Sequence, residues 1–179
     1  MIHLKDVVFK NLPENSLTGE DVFVNKRVVV FGLPGAFTPT CSSQQVPTFD
    51  EYYNDIIGHN IDEIYCVSVN DGFVMKAWFK DLGVERVKYL ADGSGEFTRR
   101  MGMLVKKDNV GFGMRSWRYA AVINNGNIEV LMAEDGFQDD CELDPYENSS
   151  PVKILKYLED YDRSNWRKNN DQEKVLTCS

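Results

Sequence analysis

The chain has 179 residues, 42% hydrophobic, 12% aromatic and 27% charged, which is the length and composition of one ordinary globular domain rather than of a disordered or fibrous chain. Its 20 Lys and Arg against 28 Asp and Glu leave a formal net charge of -8, which argues against nucleic acid or an anionic membrane as partner, because both need clustered cations. The first residues carry Lys5, Asp6 and Lys10 without an apolar run of signal or membrane-span length, so a cytoplasmic location is expected.

In chain order, the apolar stretches at residues 3–8 and 17–24 flank a polar turn at 13–16 and predict an N-terminal hairpin. Residues 27–33, rich in valine, read as a strand covered on both faces and therefore central in a sheet. Pro34, Gly35 and Pro39 break that pattern, and a helix is expected from about Ser42 to Ile57, with Pro47 kinking it or marking its first turn. Cys41 thus falls at or near a helix N-terminus. A second strand at 61–69 leads through Asn70-Asp71-Gly72 into a helix whose apolar face is Val74, Met75, Trp78, Phe79 and Leu82. A short strand at 87–90 and one or two helical turns at 95–101 follow, and Gly111 and Gly113 mark a loop. The stretches 118–123 and 128–132 bracket Asn-Gly and predict an antiparallel hairpin. Ser150-Pro151 reads as an N-cap and first helical residue, opening a helix with Ile154, Leu155, Leu158 and Tyr161 on one face.

This order predicts an α/β fold of thioredoxin-like plan, with a mixed central sheet flanked by helices and an N-terminal hairpin. One domain is expected over residues 1–161, followed by a polar tail, 162–179, held loosely.

A cysteine attacks as its thiolate, which a helix N-terminus and a nearby cation both favour. The helix end alone contributes only about 0.3–1 kcal/mol, so a cation is needed as well. Arg118, at the start of an apolar strand and so at one end of the sheet, is the candidate. Arg115, three residues earlier, is its rival and fits better as a support for the loop.

Pro34, Thr38 and Cys41 form P-x-x-x-T-x-x-C within LPGAFTPTCS, and this resembles the active-site loop of the peroxiredoxins. Together with VSVNDGFVMKAW, GEFTRRMGMLV, GFGMRSWRYA and DPYENSSPVKILKYL, in that order, the chain is similar to the type II or peroxiredoxin-V subgroup over about residues 1–160, in particular to the peroxiredoxin part of bacterial peroxiredoxin–glutaredoxin hybrids. The resemblance implies a thiol peroxidase that reduces hydrogen peroxide and small organic hydroperoxides. Cys41 would be the nucleophile that becomes a sulfenic acid. Thr38 would bond the peroxide and the thiolate, Pro34 would shield the sulfur, and Arg118 would stabilise charge on both. It also implies no cofactor, an external thiol reductant (glutathione, glutaredoxin or thioredoxin), and a homodimer.

The remaining cysteines divide by setting. Cys66, between Tyr65 and Val67 in a strand, reads as a small core hydrophobe. Cys141 lies in the acidic stretch FQDDCELDPY, where some relatives carry a resolving cysteine, so an internal disulfide with Cys41 and recycling by thioredoxin is the alternative to glutathione. Cys178 reads as an incidental thiol near the chain end. His3 and His59 have no ligand spacing, and the four cysteines lie too far apart in sequence for structural zinc. Gln44 stands where a C-x-x-C would place its second thiol, which argues against a disulfide reductase. A thioredoxin-fold redox sensor that reacts without turnover is the remaining rival.

Overall fold

The computed structural model describes residues 4–11 and 15–177, with side chains through residue 165. His3, Pro13, Glu14 and Cys178 lie outside the described residues. A five-stranded sheet runs in the order β5 (Lys88–Ala91), β4 (Glu63–Ser68), β3 (Arg27–Gly32), β8 (Tyr119–Asn124), β9 (Asn127–Ala133). β3 pairs parallel to β4 and antiparallel to β8, so the sheet is mixed and the valine-rich strand is its middle member. Alternation along these strands divides the core in two. Val29, Phe31, Leu33 and Cys66 face one side, where they meet Phe49 of α2 (Val46–Glu51), Ile56 of α3 (Tyr53–Ile57), Trp78 of α4 (Gly72–Leu82) and Ile154 of α6 (Pro151–Thr177). Val28, Val30, Val67 and Tyr119 face the other side, where Phe9 of β1 (Val8–Lys10), Phe23 of α1 (Gly19–Phe23) and Phe97 of α5 (Glu96–Arg100) pack together.

The expected hairpins differ in quality. β8 and β9 turn at Asn125-Gly126, both with positive φ (48° and 77°), the backbone that an Asn-Gly pair adopts at low cost in a two-residue hairpin turn. The N-terminal hairpin is shorter than expected, with β1 pairing only with β2 (Ser16–Thr18). The rest of the stretch expected as a strand, Gly19–Phe23, is helix α1, because Thr18 and Asp21 form a reciprocal capping box that starts a helix there. A further small hairpin, β6 (Leu104–Lys106) with β7 (Met114–Ser116), flanks the expected glycine loop.

Two further expectations change. The helix expected from Ser42 is already helical at Pro39, contains a π-helical turn at Cys41–Gln45, and breaks at Tyr52 between α2 and α3. In the π turn the Val46 N–H reaches back to the Cys41 carbonyl, and Pro47, which has no N–H, sits in the first turn of α2. The polar stretch expected to be a loose tail is helical through Thr177, as α6 continues without a Gly or Pro to stop it. Ser150 caps α6, its carbonyl accepting from Ile154 N at 3.2 Å and its Oγ from Lys153 N at 3.4 Å.

Candidate active site

Antiparallel pairing brings the C-terminal end of β3 beside the N-terminal end of β8, with Gly32 opposite Tyr119. The loop leaving β3 therefore starts next to Arg118, which directly precedes β8, although Cys41 and Arg118 are 77 residues apart in sequence. Arg118 Nη1 lies 3.4 Å from Cys41 Sγ. Cys41 is fully buried on the face of the sheet covered by α2, α3, α4 and α6, in the π turn of the helical run that opens at Pro39. This first turn is fastened by Trp78 Nε1, which donates to Ser42 Oγ at 2.9 Å.

Arg118 is only 2% exposed, and each of its nitrogens has a partner. Nη1 also donates to Gln45 Oε1, Nη2 pairs with Asp144 Oδ1, and Nε donates to the Pro145 carbonyl at 3.1 Å. The Tyr146 ring lies 5.8 Å from the guanidinium carbon. Burial works against the Arg118 charge, but the Cys41 sulfur and the Asp144 carboxylate outweigh it and hold its pKa above the ordinary arginine value. The guanidinium is thus a permanent, fixed cation against the sulfur.

Thr38 Oγ1 donates to the Gly35 carbonyl at 2.7 Å, and the Ser42 N–H bonds the Thr38 carbonyl at 3.0 Å, so Thr38 closes the loop and starts the helix. Its hydroxyl proton is thereby engaged, leaving the oxygen lone pairs as acceptors. Pro34 lines a narrow cleft with Lys107, Trp117, Arg118, Leu143, Asp144 and Pro145. Arg115, the rival of Arg118 as the cation at the sulfur, instead braces the loop: Nη1 reaches the Pro34 carbonyl at 3.4 Å and Asn70 Oδ1 at 3.2 Å, and Nε donates to the Phe112 carbonyl at 3.0 Å. Burial lowers the Arg115 pKa, with the Cys41 sulfur acting in the opposite direction.

Cys66 is buried in β4, and burial, with Cys41 nearby, pushes its thiol pKa well up. Cys141 is 7% exposed and packs with Val105 and Trp117, a cluster separate from the one that holds Cys41. Cys41, Cys66 and Cys141 are all free thiols.

A family model described as Redoxin matches residues 3–147. The chain is 60% identical over 145 residues to peroxiredoxin y4vD of Sinorhizobium fredii, covering 81% of this chain and 77% of that one. The chain belongs to the peroxiredoxin family. It is also 46% identical over 142 residues to the hybrid peroxiredoxin hyPrx5 of Haemophilus influenzae, covering 79% of this chain and 57% of that longer protein. Among solved structures it is similar to the 1-Cys peroxiredoxin antioxidant protein of Plasmodium falciparum, with TM-score 0.82 and 35% identity over 88% of this chain and 96% of that one. Peroxiredoxins are thiol peroxidases, and this chain is one by descent and by fold.

Four residues of this peroxiredoxin's site escape a reading of the sequence. Gln45 and Asp144 share the Arg118 guanidinium, and Tyr146 Oη bonds Thr48 Oγ1 at 3.1 Å. Asn70 Oδ1 accepts from Ala36 N at 3.0 Å as well as from Ser68 Oγ and Arg115, tying the cysteine loop to the end of β4. Gln45 carried one usable signal, a polar side chain four residues after Cys41, which places it on the same helix face. Asp144 carried none.

Proposed function

We propose that Cys41 is the peroxidatic nucleophile for hydrogen peroxide and small organic hydroperoxides, and that glutathione, with or without glutaredoxin, reduces it again. The observation that carries this reading is the 3.4 Å contact between Arg118 Nη1 and Cys41 Sγ in a buried site. The thiolate attacks one peroxide oxygen; the S–O bond forms as the O–O bond breaks, giving Cys41 sulfenic acid and a hydroxide or alkoxide that takes up a proton. Arg118 stabilises the charge that moves from sulfur to the leaving oxygen. Thr38 Oγ1, its own proton engaged by the Gly35 carbonyl, accepts from the peroxide O–H. To Pro34, buried and lining the cleft beside Arg118, we assign the role of keeping water from the sulfur. A first glutathione then releases water and forms a mixed disulfide with Cys41, and a second releases the free thiol and glutathione disulfide. No metal or organic cofactor enters this sequence, and its setting is the cytoplasm.

Cys141 is the alternative reductant. Its packing against Val105 and Trp117, apart from the Cys41 cluster, favours the external thiol, as does the likeness to a protein described as a 1-Cys peroxiredoxin. Mass spectrometry after one equivalent of peroxide, without added thiol, separates the two. Cys41 sulfenic acid or its over-oxidised products are expected, and Cys141→Ser should keep glutathione-supported turnover within about threefold of wild type. A Cys41–Cys141 disulfide, with thioredoxin-supported turnover lost in Cys141→Ser, would overturn the glutathione route. Steady-state turnover with any thiol also excludes a sensor that reacts once. Phe37 and Leu143, 55% and 73% exposed beside the loop and the cleft, support a homodimer that covers this rim.

A further inference from the structure

Glu134, directly after β9, is a buried carboxylate with no part in the chemistry above; it is 3% exposed. Its oxygens accept from three consecutive backbone N–H groups, Glu147 at 3.0 Å, Asn148 at 2.9 Å and Ser149 at 2.8 Å, and from Ser149 Oγ at 2.7 Å. Burial opposes the charge, yet the bonds from Asn148, Ser149 and Glu147 hold the Glu134 pKa below the ordinary glutamate value. An ionised carboxylate that gathers four donors fixes a loop more firmly than neutral partners do, because charge-assisted bonds are about twice as strong.

The loop it fixes is the one that grips Arg118. Asp144 and the Pro145 carbonyl bond the guanidinium, Tyr146 lies against it, and the Tyr146 hydroxyl reaches Thr48 on α2, the helix that follows the Cys41 turn. Glu134 also reaches Arg118 through the backbone, since its N–H donates to the Arg118 carbonyl at 3.0 Å. Its own carbonyl accepts from Trp117 Nε1 at 2.8 Å. One residue therefore holds the arginine from its main chain and, through residues 144–149, from its side-chain end.

We infer that Glu134 is a positioning residue for peroxide reduction, setting the guanidinium of Arg118 against Cys41 by fixing the 144–149 loop. This rests on Arg118 acting on Cys41, and a wild-type control keeps the two ideas apart. If wild type fails to react with hydrogen peroxide through Cys41, the functional reading falls; if wild type reacts and the Glu134 variants match it, this inference falls.

The test uses Glu134→Gln, Asp144→Asn and the double variant, at a temperature where circular dichroism shows each folded. It reads the second-order rate with hydrogen peroxide and the 240 nm thiolate absorbance at pH 7. Glu134→Gln should slow the peroxide reaction tenfold or more and reduce the absorbance, and the double variant should be little slower than the worse single one, because both act through the same grip. A purely structural role would lower the melting temperature and leave rate and absorbance of the folded protein at wild-type values, and that outcome, or rate factors that multiply in the double variant, would overturn the inference. Should Glu134→Gln not fold, Ser149→Ala, which removes one of the four donors, decides it: a two- to fivefold loss of rate supports the inference, and an unchanged rate overturns it.

Discussion

Replacing Arg118 by lysine keeps a positive charge and removes the fork, so it separates charge from geometry. The guanidinium serves two sides at once. Nη1 faces Cys41 Sγ at 3.4 Å and Gln45 Oε1, while Nη2 and Nε hold Asp144 and the Pro145 carbonyl. A single ammonium cannot span both. The Asp144 side chain is 48% exposed and water can take over its bonds, whereas Gln45 is fully buried and cannot be rescued in this way. Loss of one preorganised donor to developing charge costs about 2.7–4 kcal/mol, or ~10²–10³ in rate. Part of this is recovered if lysine turns toward the sulfur, so Arg118→Lys is expected to slow peroxide reduction by roughly a hundredfold. Stopped-flow mixing with hydrogen peroxide, with the sulfenic acid trapped by dimedone, measures the step without the reductant. A folded Arg118→Lys protein reacting within threefold of wild type would refute the claim that the fixed fork matters.

Gly32→Ala should destabilise the fold, because a Cβ there would stand 2.1 Å from Cε1 of the buried Tyr119 ring, and overpacking of this kind costs about 1–3 kcal/mol. A thermal melt should show a drop of roughly 2–12 °C, partly restored by adding Tyr119→Leu, and an unchanged melt would show that the ring moves freely. Stability should also fall in acid: Glu134 and Glu129 both have lowered pKa values in the fold, with burial opposing the shift and hydrogen bonds or the Arg27 ion pair outweighing it. Groups of this sign contribute fully above the ordinary glutamate value of about 4.3 and lose that contribution as pH falls below it. Asp92, raised by burial, works in the opposite direction. Urea melts from pH 6 to pH 3 should therefore show wild type losing more stability than Glu129→Gln, and parallel losses would contradict the assignment.

What the sequence made legible was local. The valine run, the proline-broken loop and the Asn-Gly turn each encode their structure within about ten residues, so β3, the cysteine loop and the β8–β9 hairpin were readable from them. The stretch 17–24 was misread because a short amphipathic helix and a short strand look alike when apolar residues are few; the capping pair Thr18 and Asp21 was the deciding signal. The extent of the last helix was not read because its apolar stripe stops at Tyr161, although no helix breaker follows Pro151 before Thr177. Arg118 could be nominated from its place at a strand end. Its partners could not: Gln45 lies 73 residues away and Asp144 26, and only the register of β3 with β8 and the path of the 144–149 loop bring them together. Glu134 looks in sequence like any polar residue at the end of an edge strand, and its importance exists only in the loop folded around it.

The central claim is that the sulfur of Cys41 performs the peroxide chemistry, and Cys41→Ser tests it with the least rearrangement, since it exchanges one atom in a buried site. Hydrogen peroxide consumption with glutathione, or with glutathione and glutaredoxin, should fall to the buffer rate in folded Cys41→Ser, while Cys66→Ser and Cys141→Ser continue to turn over. A Cys41→Ser protein that still consumes peroxide at the wild-type rate would contradict the account.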